Sequence, residues 1–243
     1  MTTETNTQAR RGPEAEKIRT MFGEIAKGYD LANTVLSAGI HHLWRRELVK
    51  WSGAREGLRV LDCATGTGDL AIEFKKAVGA KGKVIGTDFC EEMLIPAPEK
   101  AAKHGLEITF AQADVTQLPY EEASFDIASI SFGIRNVQDP IKGLSELARV
   151  VRSGGVVMVL EFGQPPSPIV RRAYEFYSKN VLPTLGGLIT GRKQAYEYLQ
   201  DSSANFPCRE DFLEMMRSTG RFASCEFKPL TFGIAYMYKG VVR

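Results

Sequence analysis

The segment from Leu58 to Leu70, Leu-Arg-Val-Leu-Asp-Cys-Ala-Thr-Gly-Thr-Gly-Asp-Leu, narrows the choice of fold more than any other. Val60 and Leu61, flanked by Leu58 and Cys63, form a short apolar run of the kind found in a strand buried on both faces. Gly66 and Gly68 follow, and behind them come the helix formers Leu70, Ala71, Glu73, Phe74 and Lys75. A strand that turns through glycines into a helix exposes backbone N–H groups at a helix N-terminus, where a polar ligand meets no side chain. Asp62 stands at the carboxyl end of this strand. A carboxylate there repels a phosphate and attracts a cation.

A second strand, Lys83 to Asp88, ends in another acid about 20 residues beyond the glycine turn, the spacing at which doubly wound nucleotide folds set a carboxylate on ribose hydroxyls. Gly66-Thr67-Gly68-Asp69-Leu70-Ala71 also fits the loose dinucleotide pattern. Two readings follow, a nicotinamide oxidoreductase and an S-adenosylmethionine (SAM) site. Asp62 favours SAM, which brings a sulfonium and an amino group instead of a pyrophosphate.

The rest of the chain repeats the alternation. A third strand over Glu107 to Ala113 ends at Asp114. A fourth over Phe125 to Phe132 runs into Ser131-Phe132-Gly133-Ile134-Arg135-Asn136. The helix Ile141 to Val151 and a Ser153-Gly154-Gly155 turn lead into a fifth strand, Val156 to Phe162. Strands alternating with helices predict an α/β fold, a doubly wound and mostly parallel sheet whose carboxyl edge gathers Asp62, Asp88, Asp114 and the Ser131–Asn136 loop. Glu91 to Gly105 reads as a helix that Pro96 and Pro98 kink or delay.

Residues 1–12 read as a disordered tail. Residues 13–52 read as an N-terminal helical cap, with Ile18, Met21, Phe22, Ile25, Ala26 and Tyr29 on one helical face, a loop from Asp30 to Gly39, and a second helix from His41 to Trp51. Residues 53–243 form the main domain. Within it, 163–205 is an insertion rich in apolar side chains, suited to core packing or to the wall of an apolar cavity, before a last helix, Glu210 to Ser218, and a hairpin of Phe222 to Leu230 and Gly233 to Tyr238.

Net charge is +2 and the basic residues are scattered, which argues against nucleic acid. Four cysteines without C-x-x-C spacing and three histidines argue against zinc or a disulfide framework and suggest a reducing, cytoplasmic setting. The polar start has no signal-peptide core, and no apolar run reaches membrane-spanning length.

Several stretches together resemble the ubiquinone/menaquinone biosynthesis C-methyltransferase family of class I SAM-dependent methyltransferases. They are Leu61-Asp-Cys-Ala-Thr-Gly-Thr-Gly-Asp69, Asp114-Val-Thr-Gln-Leu-Pro119, Phe22-x-x-Ile-Ala-x-x-Tyr-Asp30, Ser37-x-Gly-x-His41-x-x-Trp-Arg45, Ile130-Ser-Phe-Gly-Ile-Arg-Asn-Val137, Leu160-Glu-Phe162 and Tyr196-x-Tyr-Leu199. Ser153, where a Pro-Gly-Gly turn is commoner, and Pro96 and Pro98 depart from the pattern. The resemblance implies a seven-stranded Rossmann-like sheet and SAM as methyl donor, with Thr67, Asp88, Asp114 and Ser131 at cofactor positions and Ala113 beside Asp114. Asp62, Gly66, Gly68 and Phe89 complete the expected cofactor set.

The implied chemistry is methylation of a ring carbon of a reduced polyprenyl quinone, by a protein that visits the inner membrane face. A ring carbon becomes nucleophilic once a neighbouring hydroxyl is deprotonated. Arg135 is therefore expected to face the phenolate, with Asn136 as a neighbouring donor. His41 and Asp30 are candidate bases, and Tyr196, Phe132 and Tyr29 candidate walls of the ring pocket. A naphthoquinol, a benzoquinol or both remain open as acceptors. A catalytically silent scaffold and a homo-oligomer also remain open.

Overall fold

The computed structural model describes Pro13 and residues 15–243; the expected tail, residues 1–12, lies outside them. In chain order the elements are α1 (Ala15–Ile25), α2 (Tyr29–Leu36), α3 (Ile40–Ser52), β1 (Arg59–Cys63), α4 (Asp69–Val78), β2 (Lys83–Asp88), α5 (Glu91–Leu94), α6 (Ala97–Lys103), β3 (Thr109–Gln112), β4 (Phe125–Ser131), α7 (Pro140–Val150), β5 (Val151–Phe162), α8 (Pro168–Phe176), α9 (Leu182–Thr190), α10 (Lys193–Asn205), α11 (Glu210–Ser218), β6 (Phe222–Leu230) and β7 (Ala235–Val242).

Seven strands form one sheet in the order β3-β2-β1-β4-β5-β7-β6. The first five are parallel, and β7 runs antiparallel between β5 and β6. The apolar runs of the central strands follow from this layering. Val60, Ile127, Met158 and Leu160 enter the core beneath α3 and α4, while Leu61, Ala128, Val157 and Val159 enter the core beneath α7 and α11. Neighbouring residues serve opposite faces, so the central strands are mostly apolar, and a polar residue in them, as at Asp62 and Ser129, is met by a hydrogen bond. Strand order reverses between β1 and β4, and the ligand crevice of such a sheet opens there.

Three local expectations change. The Asp30–Gly39 loop is mostly helix: α2 buries Ala32 and carries Leu31, Val35 and Leu36 at helical spacing, which the intervening Asn33 and Thr34 obscure. Pro96 and Pro98 split the expected helix in two, Pro96 capping α6 and Pro98 sitting in its first turn, where no N–H is required. The Ser153-Gly154-Gly155 turn is a bulge inside β5, with Gly154 at φ +72° and the pairing to β4 slipping beside it. A π-helical stretch, Tyr177–Val181, continues α8, and Pro183 stands in the first turn of α9.

The N-terminal helices and the insertion pack on one another. Ile25, Ala32, Leu182, Ala195 and Tyr196 make a third, smaller core over the carboxyl edge of the sheet. Both faces of the main sheet are already covered, so this core roofs the edge instead.

Candidate active site

Two cavities lie under that roof. The first, about 370 Å³, is lined by Gly66, Asp88, Phe89, Ala113, Asp114, Ser131 and Asn136 among others. The second, about 430 Å³, is lined by His41, Trp44, Arg135, Phe162, Tyr174, Tyr177, Tyr196 and Tyr198 among others. Phe22, Tyr29 and Phe132 line both. A polar cavity at the sheet edge and an aromatic one beneath the insertion thus share a wall.

The first cavity is built from strand ends. Asp88 closes β2; its Oδ2 accepts from Gly66 N–H at 2.8 Å and its Oδ1 from Cys90 N–H at 2.9 Å. The carboxylate is tied to the glycine turn and still has lone pairs for two ribose hydroxyls. Burial pushes its pKa up to about 6 against the pull of those backbone donors. Asp114 is exposed and folds back on Thr116 N–H at 2.8 Å. Ser131 brings a buried Oγ that has no partner, so a polar ligand is needed to satisfy it.

The backbone is strained where these ends meet. Ala64 and Phe132 both take left-handed φ, at 49° and 55°. A methyl on Gly133 would overlap that of Ala64, so the ends of β1 and β4 touch through bare backbone. Such conformations cost about 1–3 kcal/mol each and persist where packing enforces them.

Asp62 departs from its expected position. It is 1% exposed, on neither cavity wall, and accepts from Thr65 Oγ1 at 2.6 Å and Ser129 Oγ at 2.7 Å. Its pKa too is pushed to about 6 by burial. Asp62 therefore braces the glycine turn against β4 from below.

Thr67, Gly68 and Asp30 are also off both walls. Thr67 Oγ1 donates to Asp30 Oδ1 at 2.6 Å, and Lys100 Nζ meets Asp30 Oδ2 at 2.6 Å, so the two residues latch α2 to the turn. Gly68 takes φ +85° with the Phe110 ring against it, where a side chain would clash.

In the second cavity, His41 Nδ1 is engaged by Ser37 Oγ at 2.5 Å. Burial, then the charges of Arg45 and His42, push its pKa down to about 4. Its imidazole is neutral at neutral pH. Tyr196 is buried against Gly186 with its hydroxyl unpaired. Asn136 Oδ1 accepts from Tyr198 at 3.0 Å, joining a wall residue of the first cavity to one of the second.

Arg135 reaches the second cavity, but not as a free cation. Its Nη1 donates to Glu161 Oε1 at 2.6 Å and to Phe132 O at 2.8 Å. The expectation of a lone guanidinium facing a phenolate omits this partner. Glu161 had a signal in the sequence: it is the one charged residue in the apolar run Val156 to Phe162. The aromatic walls Trp44, Tyr174 and Phe162 had none, since aromatic residues at these spacings serve a core equally well.

The residues suit SAM. Asp88 and the unpaired Ser131 hydroxyl offer acceptors to ribose and amino groups, while Arg19 and Lys142 stand on the same wall.

The profile of the ubiE/COQ5 methyltransferase family matches residues 10–242. A curated ubiquinone/menaquinone biosynthesis C-methyltransferase UbiE from Bdellovibrio bacteriovorus is 64% identical over 95% of this chain and 98% of its own length. The protein of the same name from Geobacter is 45% identical over 93% and 97%. Among solved structures, a SAM-dependent methyltransferase from Aquifex aeolicus superposes with a TM-score of 0.61 at 20% identity, covering 82% of this chain and 89% of its own. A possible histamine N-methyltransferase from Thermotoga maritima does so with a TM-score of 0.65 at 20%, covering 92% and 99%. The nicotinamide reading is thereby set aside, and the chain belongs to the ubiE/COQ5 family of SAM-dependent methyltransferases.

Proposed function

We propose that the protein methylates a ring carbon of a reduced polyprenyl quinone, either demethylmenaquinol, 2-polyprenyl-6-methoxy-1,4-benzoquinol or both. The observation that carries this is the wall of Phe22, Tyr29 and Phe132 common to a polar and an aromatic cavity. A planar quinol ring in the second cavity lies directly across that wall from a donor in the first. The curated relatives bear the name of this activity.

SAM, when bound, supplies an electrophilic methyl on its sulfonium. Asp88, Asp114, Ser131 and the Gly66 turn hold it. Phe132, Phe162 and Tyr196 flank the ring, and alignment of reacting atoms to about 3–3.5 Å supplies a large part of such a rate. Arg135 faces the ring oxygens from the β4 side. The roof of α1, α2 and the insertion excludes water, which strengthens every charge interaction beneath it.

The polyprenyl tail needs an exit, and apolar residues surround the second cavity. Val35 and Leu185 line it and are themselves exposed; Leu31, Leu188, Ile169 and Phe176 extend the patch over α2, α9 and α8. Segment 165–193 holds five cations, Arg171, Arg172, Lys179, Arg192 and Lys193, against one anion, Glu175; Arg192 and Lys193 pair with Glu24 and Glu197, leaving Arg171, Arg172 and Lys179 for the border. An apolar patch with a cationic border fits the surface of an anionic bilayer. No helix among the described residues is long and apolar enough to cross one. A cytoplasmic protein that docks on the inner membrane face through this patch is the localisation we infer.

Methyl-labelled SAM with each reduced quinone in turn tests the activity. Label in the ring of at least one quinol is expected, and absence of label from both overturns the proposal.

A further inference from the structure

Arg135 and Glu161 form an ion pair that is closed on one side only. Nη1 of Arg135 and the Phe162 N–H both donate to Glu161 Oε1, at 2.6 and 2.8 Å. On the other side, Arg135 Nε and Glu161 Oε2 are buried with no partner. The two side chains are 4% and 1% exposed. A charged donor and a charged acceptor left unmet in a dry site are the groups a ligand must satisfy.

A hydroxyl fills both. It accepts from the guanidinium and donates to the carboxylate; a carbonyl or a hydrocarbon edge does only one or neither. Arg135 and Phe162 line the aromatic cavity, with the guanidinium carbon 5.6 Å above the Phe162 ring; Glu161 is on neither wall, so a hydroxyl reaches its Oε2 only by inserting beside the guanidinium.

We propose that Glu161 is the general base of the reaction, receiving at Oε2 the proton of the acceptor's ring hydroxyl while Arg135 holds the oxygen that loses it. This rests on the quinol reading above and adds the identity of the base. The ring O–H bond breaks, its electron pair delocalises toward the ortho carbon, and an O–H bond forms on Glu161. The ortho carbon then bonds to the sulfonium methyl as the S–C bond breaks, its pair staying on sulfur. Glu161 then returns its proton to the ring oxygen and takes the proton of the methylated carbon, so that the ring regains aromaticity, and it gives that proton to solvent once the product leaves. One proton, that of the ring carbon, leaves in total.

The charge pattern favours this arrangement. Before methyl transfer the negative charge passes from Glu161 to the ring oxygen beside the Arg135 guanidinium, and it is consumed when the sulfonium methyl is taken up. Burial lifts the Glu161 carboxyl above the usual range, with Arg135 pulling the other way, which narrows its gap to a phenol. Besides Arg135, the groups facing Glu161 are Tyr174 of α8, Tyr198 of α10 and Tyr238 of β7, all raised by burial and neutral at working pH. The rival bases are otherwise engaged. His41 is pushed to about 4 and held by Ser37, and Asp30 sits in its latch with Thr67 and Lys100.

Glu161→Gln keeps the volume and the acceptor for Arg135 but takes no proton. The experiment measures SAM affinity by calorimetry and single-turnover methylation of the reduced quinone across pH, for the unsubstituted protein, Glu161→Gln and Glu161→Asp. SAM affinity is expected within about threefold of the unsubstituted protein, and methyl transfer by Glu161→Gln lower by roughly 10²–10⁴-fold. Its residual rate should climb about tenfold per pH unit, because the acceptor must then ionise by itself. A loss under tenfold, or an unchanged pH profile, reduces Glu161 to a positioning residue for Arg135 and overturns the proposal. Should Glu161→Gln not fold, Glu161→Asp decides, since a carboxylate withdrawn by one methylene must slow transfer; a rate within about twofold of the unsubstituted protein overturns the role. If the unsubstituted protein methylates neither quinol, the acceptor reading falls and takes this inference with it; an active protein indifferent to Glu161 sinks only the base.

Discussion

Asp88 illustrates how a single carboxylate is set by its surroundings. Backbone donors from Gly66 and Cys90 fix its orientation, yet burial lifts its pKa to about 6. A protonated Asp88 loses acceptor capacity, so the sign is clear: SAM affinity holds above the pKa and falls as pH drops through it. Calorimetry should find SAM binding weakening below about pH 6, approaching tenfold per unit. Asp88→Asn should bind roughly ten- to a hundredfold more weakly, from the loss of charge-assisted bonds of about 1.5–3 kcal/mol. Equal affinity in a folded variant removes Asp88 from the cofactor site. Asp62, four residues before Gly66, was legible as important but not as buried. Whether a carboxylate at a strand end faces the ligand or the neighbouring strand depends on Ser129, 67 residues away.

At the scale of elements, two contacts govern the site. The β1 and β4 ends meet at Ala64 and Gly133 without room for a further methyl. Gly133→Ala is expected to destabilise the fold by about 1–3 kcal/mol in urea titration, the usual cost of overpacking, and to weaken SAM binding in the folded fraction. Unchanged stability would mean the loops separate freely. The second contact is the latch of α2. With Asp30 replaced by Ala, Thr67 and Lys100 lose their tie to α2 while keeping each other and Asp69, and stopped-flow SAM release should quicken about three- to tenfold with little change in global stability. Unaltered release would make the latch a surface ornament. In the sequence α2 passed for a loop because Asn33 and Thr34 interrupt its apolar face, and only packing on α9 makes that face visible.

Across the whole molecule, the insertion and the N-terminal helices together form a roof whose outer surface is apolar and cationic. Leu188 and Phe176 are 77% and 67% exposed there, far more than a core-facing residue would be. Retention on anionic vesicles is expected for the intact protein, weaker on zwitterionic ones, and at least about tenfold lower for a Leu188→Asp, Phe176→Asp double variant. Methylation of a short-tailed quinol in solution should survive these changes, because neither residue lines a cavity. Retention of the double variant equal to that of the unsubstituted protein would locate the docking face elsewhere.

Local order was readable along the chain: the alternation of strand and helix, the glycine turn, the acids at successive strand ends and the apolar insertion. Such features depend on neighbours within a few residues, and periodicity reports them directly. The pairing of Arg135 with Glu161, the turning inward of Asp62, the helical state of α2 and the wall shared by two cavities depend on segments that meet only after the sheet is assembled. Contacts between residues tens of positions apart leave no periodic trace, so tertiary structure alone decides which charges face a ligand and which neutralise one another.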